Sequence, residues 1–150
     1  MAVEDVDPGD ETHRDGDYVP LPHDQQAGGV KAPSRGDAVA IGADGNIKQA
    51  EQGDSVVGVL HTYEYFGDSP NEQIAQNTPA TVKTRGTVRA RVDPGVVAGD
   101  ALGSPDESAD GEKGELGAVT DGNPVVDQGF RALSDAVTED GQEYAEVLLR

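Results

Sequence analysis

The chain contains no cysteine and no tryptophan, and among its 150 residues there are only two Phe, four Tyr and one Met. Without cysteine there is no disulfide framework, no thiol nucleophile and no thiolate-bound metal. With so few aromatic rings the interior has to be built from Val, Ala, Leu and Ile. That gives a small aliphatic core with a modest stability margin, and oligomerisation becomes a natural way to bury more surface. No apolar run approaches the roughly 20 residues that cross a bilayer as a helix. The opening residues, Met1-Ala2-Val3-Glu4-Asp5, are acidic where a secretion signal is basic and then apolar, so the expected product is soluble and made in the cytoplasm. Helical periodicity is missing as well, apart from one turn expected around Asn71 to Gln76.

Positive charge is also scarce. Eleven Lys and Arg face 29 Asp and Glu, for a formal charge of −18 and a pI near 4.2. A surface of that sign repels phosphate backbones and anionic lipid, which excludes nucleic acid and membranes as partners. Asp predominates over Glu, and Lys is rarer than Arg. Val-rich runs nevertheless recur at regular intervals, a pattern that acidic disordered chains lack. The composition resembles that of proteins from haloarchaea and their viruses. Such a chain is suited to molar salt, where the Debye length is about 3 Å and self-repulsion is screened.

What the sequence does have is a repeated Gly-Asp punctuation. Gly36-Asp37, Gly53-Asp54 and Gly99-Asp100 each stand just before a short apolar run. Asp44-Gly45-Asn46 supplies a tight turn between strands expected at Val39–Ile41 and Ile47–Ala50. Val56–Tyr65 is an extended candidate in which Gly58 leaves a gap, pointing to a bulge or a close backbone approach. In Thr81–Val92, residues Val88, Ala90 and Val92 alternate with Thr87, Arg89 and Arg91, so one face is expected to be apolar and the other basic. Further strands are expected at Ala101-Leu102, Leu116–Thr120, Pro124–Asp127, Phe130–Val137 and Ala145–Leu149. Thr138-Glu139-Asp140-Gly141 makes a hairpin of the last two. Between them Gly103 to Glu115 reads as an acidic exposed loop. This is an all-β pattern of roughly eight to ten short strands, of the kind found in barrels and sandwiches.

Residues 1–35 differ from the rest. Pro8, Pro20, Pro22 and Pro33 lie among many acidic residues, and the segment reads as an extended or disordered N-terminal arm ahead of a folded domain at 36–150. Tyr18-Val19-Pro20-Leu21-Pro22 is its apolar patch, so Tyr18, Val19 and Leu21 are candidate contact residues, able to lie across a partner or add a strand to a sheet edge. Arg85, Arg89 and Arg91 form a basic stripe in a chain otherwise poor in cations. The favoured expectation is pairing with nearby carboxylates; the sharper one is an inter-subunit or partner contact, because Arg pairs carboxylates bidentately.

Chemistry is sought without success. The three histidines, His13, His23 and His61, do not combine with a nucleophile and an orienting acid, and two of them lie in the arm. Asp5-Val6-Asp7-Pro8-Gly9-Asp10 and Asp15-Gly16-Asp17 lack the Gly and Glu spacing of an EF-hand, so no metal site is expected. No phosphate-cradling loop occurs, and no cofactor is expected.

Gly36-Asp37-Ala38-Val39-Ala40, Ala50-Glu51-Gln52-Gly53-Asp54-Ser55-Val56-Val57-Gly58-Val59-Leu60, Gly86-Thr87-Val88, Ala98-Gly99-Asp100-Ala101-Leu102 and the closing Phe130–Val137 and Ala145–Arg150 segments follow in this order. The order resembles the capsid decoration, or head cement, proteins of tailed viruses, the group typified by the head-decoration protein of bacteriophage lambda. The resemblance spans roughly residues 30–150. It implies a small β-barrel or β-tulip with an extended arm, a homotrimer on the outside of the capsid shell, the major capsid protein as partner, and no catalysis. Joined to the composition, it points to a haloarchaeal virus. Three alternatives stand beside it: another virion component such as a tail or spike protein, a hammerhead-like carrier domain, and a small haloarchaeal enzyme. The carrier domain requires a Lys at a hairpin tip, whereas Lys48 sits inside a strand.

Overall fold

The computed structural model describes residues 11–22, 33–43, 45–63 and 79–150, with backbone alone for 11–22, 62–63 and 79–80. No helix occurs among them. The fold is all-β: ten strands, β1 (Glu11–Pro22), β2 (Ala38–Ile41), β3 (Ile47–Gln49), β4 (Gly58–Tyr63), β5 (Pro79–Arg91), β6 (Ala101–Gly103), β7 (Gly117–Ala118), β8 (Asp127–Ala132), β9 (Val137–Glu139) and β10 (Gln142–Leu149). The expected turn at Asn71–Gln76 and the Asp5–Asp10 loop lie outside the described residues. Pro124 to Val126, expected to be extended and paired, precede β8 as an irregular segment.

The strands form one antiparallel sheet in the order β3-β2-β4-β5-β10-β8-β6-β7, with β1 added to β5 and β9 added to β10. β5, at 13 residues, is the spine. Val82 faces both Val19 of β1 and Leu60 of β4, and Val88 faces both Glu11 of β1 and Val147 of β10. β1 therefore runs along one edge of β5, while β4 and β10 share the other end to end.

The expected barrel does not close. The ends of the path, β3 and β7, are not paired with each other. The gap between them is crossed by the Gly-containing acidic segment 112–116, which makes scattered bonds and one isolated parallel bridge, Val92↔Leu116, where a ladder would be needed. Ala38 N–H donates to Gly114 O at 2.8 Å, Gly114 N–H to Ala50 O at 2.9 Å, and Leu116 N–H to Arg91 O at 3.0 Å.

Alternation builds the core. Val88 and Ala90 of the spine, with Val92 just beyond its end, meet Ala145, Val147 and Leu149 of β10 on the inner face, joined by Ala38, Val59, Leu102, Leu116 and Phe130. Val39, Ile47, Leu60 and Val82 form a second, fully buried group. Because successive residues of a strand point to opposite faces, Val39 and Leu60 lie across the sheet from their neighbours Ala38 and Val59. Both faces are thus used, which a single apolar stripe would not require.

The Gly-Asp punctuation resolves into one repeated device. In Ser34–Asp37 the Asp37 N–H donates to Ser34 O at 3.0 Å, and the Ser34 N–H donates back to Asp37 Oδ2 at 2.8 Å. The same reciprocal pair closes Glu51–Asp54 (3.0 and 2.9 Å) and Val97–Asp100 (3.1 and 3.0 Å). It recurs with other acceptors in Glu112–Glu115 and Thr120–Asn123. Each time the third residue is a glycine with φ between 81° and 95°. That is the positive φ a type II turn demands at its third position. The fourth residue's side-chain oxygen then satisfies the amide that the turn leaves open.

Candidate partner-contact surface

The sequence pointed to two groups of residues, the apolar patch of the arm and the arginine stripe, and they lie on two paired strands, β1 and β5. Tyr18, Val19 and Leu21 lie in β1 opposite Lys83, Val82 and Ala80 of β5. The arm is therefore not free along this stretch: residues 11–22 add a strand to the sheet of their own chain.

The stripe divides. Arg85 is exposed, whereas Arg89 is 1% and Arg91 9% exposed. Arg89 forms an ion pair with Glu139 of the β9–β10 hairpin and lies 4.4 Å from the ring centroid of Tyr144, a cation–π stack. Arg91 pairs with Asp37 at 2.9 Å and approaches Glu112 at 3.4 Å and Glu115 at 3.6 Å. At these two positions the basic face is covered and the arginines pair with carboxylates of the same chain, the favoured expectation. Strand alternation correctly separates the arginines from Val88 and Ala90, but it carries no information on whether the second face is also covered.

Asp37 is wholly buried. It accepts from Ser34 N–H, from Gln49 Nε2 at 2.8 Å and from Arg91 Nη1 at 2.9 Å. Burial raises its carboxyl above the ordinary range, a shift that the Arg91 guanidinium partly offsets. The turn before β2, the end of β5 and the acidic loop are all held at this one pair. One breath along the chain, Asp93 shares a hydrogen bond with Glu115 and is pushed up to about 8, first by burial and then by the charges of Glu115 and Asp106. Its Oδ1 is buried with no hydrogen-bond partner. Glu115 is raised too, chiefly by burial. Asp93 and Asp106 line a cavity of about 210 Å³ with Asp110, Thr120 and Asn123. No group of three His, Asp or Glu among the described residues is arranged to hold a metal ion. His61 is half-buried, and its carbonyl accepts from Arg35 Nε at 2.9 Å. This carboxylate network was not legible beforehand. At such acidity, paired carboxylates in the sequence carry no signal.

No family model and no curated protein matches the chain. A solved structure does. It is the C-terminal fragment of gene product 12 of bacteriophage phi29, which superposes with a TM-score of 0.53 at 16% identity, over 87% of this chain and 98% of that fragment. The likeness is one of fold. It extends over nearly the whole fragment, so the shared architecture is the arrangement of strands itself and not one embedded motif.

Proposed function

We propose that this chain is a structural component of a tailed-virus particle, one that binds the outside of the capsid shell as a homotrimer and holds it against the pressure of packaged DNA. The observation that carries the proposal is the fold shared with a bacteriophage gene product over 98% of that fragment. The run of Gly-Asp segments that resembles the decoration proteins supports the more specific assignment. Among the described residues Arg89, Arg91 and Asp37 are engaged in holding strands together, a use that fits a structural part.

Mechanically the role needs no strong single contact. A trimer bridging neighbouring shell subunits is released only when several contacts let go together, so modest contacts combine through effective concentration. In molar salt, charge attraction is screened while apolar contacts are not weakened, and the partner surface is accordingly expected to be apolar. Tyr18, Val19 and Leu21 of β1, with the exposed Arg85 nearby in register, are the proposed contact residues. The major capsid protein is the proposed partner.

The test is co-sedimentation of the purified chain with tailed-virus capsids in molar salt, with its mass in solution determined by light scattering. Saturable binding of a 15.6 kDa chain in multiples of three is the expected result. Absence of binding to shells, with binding instead to tails, would move the assignment to another virion component.

A further inference from the structure

The two prolines of β1 occupy particular positions in the ladder. Between Tyr18↔Lys83 and Pro22↔Pro79 the register with β5 is unbroken. In an antiparallel pair each residue turns both of its backbone polar groups to the same side, and the side alternates along the strand. Leu60 of β4 donates its N–H to Asp37 O at 2.9 Å, and its carbonyl accepts from Gly36 N–H at 2.9 Å. Both polar groups of Leu60 thus point away from β5, and the pair Leu60↔Val82 is one without mutual hydrogen bonds. The N–H and C=O of Val82 accordingly face the other neighbour, β1.

A second observation fixes the same phase. The β position of Gly58 lies 2.3 Å from the carbonyl oxygen of Lys83, which places the Lys83 carbonyl on the β4 side, one residue out of step with Val82. Hence Val19↔Val82 and, by alternation, Leu21↔Ala80 are the pairs that exchange hydrogen bonds. Tyr18, Pro20 and Pro22 turn their backbone to the other side of β1, where no strand among the described residues pairs with it. A proline at 19 or 21 would remove a ladder bond to β5; at 20 and 22 it removes only an outward donor.

We propose that Pro20 and Pro22 terminate the sheet at β1, closing this edge to strand addition by a second copy of the chain or by any partner that brings an extended segment. An added strand must find alternating amides and carbonyls, and over residues 18–22 this edge offers three carbonyls but a single amide, that of Tyr18. β1 therefore covers the amides of Ala80 and Val82 without presenting an equivalent edge in their place. What the edge can accept is water or a donor side chain. The inference goes beyond the proposed function, since it concerns how any partner is limited and holds whether or not that partner is a capsid.

The test is the double variant Pro20→Val/Pro22→Val in the full chain, followed by light scattering in molar salt over a wide range of protein concentration. The expected result is growth of concentration-dependent assemblies larger than the wild-type particle, whose mass stays constant. A double variant that keeps the wild-type mass at every concentration overturns the proposal. Leu21→Pro tests the phase separately by amide hydrogen exchange: exchange at Ala80 should accelerate several-fold, because the acceptor and donor opposite it are disturbed, whereas Pro20→Val should leave it slow. If Leu21→Pro leaves Ala80 as protected as in the wild type, the assigned phase is wrong and the proposal falls with it.

Discussion

At the scale of single residues, the acidic character of the chain is partly structural. Asp37, Asp54 and Asp100 each close a turn by accepting the amide three residues back. Replacing Asp100 by Ala leaves the Val97 amide without its acceptor and should cost roughly 1 kcal/mol, whereas Asp100→Asn, which keeps an acceptor oxygen, should cost less; denaturant titration in constant molar salt measures both. The Gly-Asp pairs were legible in the sequence as turn markers, because glycine signals positive φ. The role of the aspartate was not, since an exposed, solvated Asp is written with the same letter. Asp93 makes a prediction with a definite sign. Its folded-state pKa, about 8, lies above the ordinary carboxyl value of 3.8, so the folded protein holds a proton that the unfolded chain releases. The stabilisation from this group is complete below the unfolded value and is lost as pH rises through about 8. Asp93→Asn, which keeps the shape and a donor toward Glu115, should flatten this dependence and make the protein more stable than wild type at alkaline pH. Unfolding midpoints compared at about pH 5 and about pH 9 decide the matter.

At the scale of elements, the strands were read well where alternation or a turn signal marks them. β2, β3, β4, β5 and the β9–β10 hairpin fall on expected segments, and Asp140-Gly141, with φ of 52° and 78°, makes the tight turn expected there. The expected Phe130–Val137 strand is divided. Its first part belongs to β8 and its last to β9, and both pair with β10, because Leu133 to Ala136 turn aside to bond Glu146 and Val96. Gly58 bears out the expectation of a close backbone approach. A β carbon there would lie 2.3 Å from Lys83 O and 2.8 Å from Val82 Cγ1. Gly58→Ala must push β4 from the spine and should cost about 1–3 kcal/mol, with hydrogen exchange accelerated first in the β4–β5 ladder. The buried arginines were the harder part of β5. A period of two assigns Arg89 and Arg91 to the face opposite Val88 and Ala90, but only the tertiary fold shows that Glu139, Tyr144, Asp37 and the acidic loop enclose them.

At the scale of the whole molecule, a sheet that uses both faces compensates for a chain poor in aromatics, and an open path replaces the expected barrel where segment 112–116 crosses the gap. Twenty-nine acidic side chains against 11 basic ones leave a large uncompensated charge, so the fold is expected to tighten as salt rises and the Debye length shrinks. The unfolding midpoint should therefore climb steadily from low to molar salt, opposite to the trend for a protein held together by surface ion pairs. A symmetric trimer would bury further apolar surface and share that charge over a particle whose partner is itself built of repeated subunits. The account stands or falls on where the chain sits. Imaging tailed-virus particles assembled with and without it, at molar salt, is the most direct measurement. The account predicts added density at local three-fold positions on the outer surface of the shell, and shells that rupture sooner without it. Density confined to the tail, or particles identical with and without the chain, would contradict it.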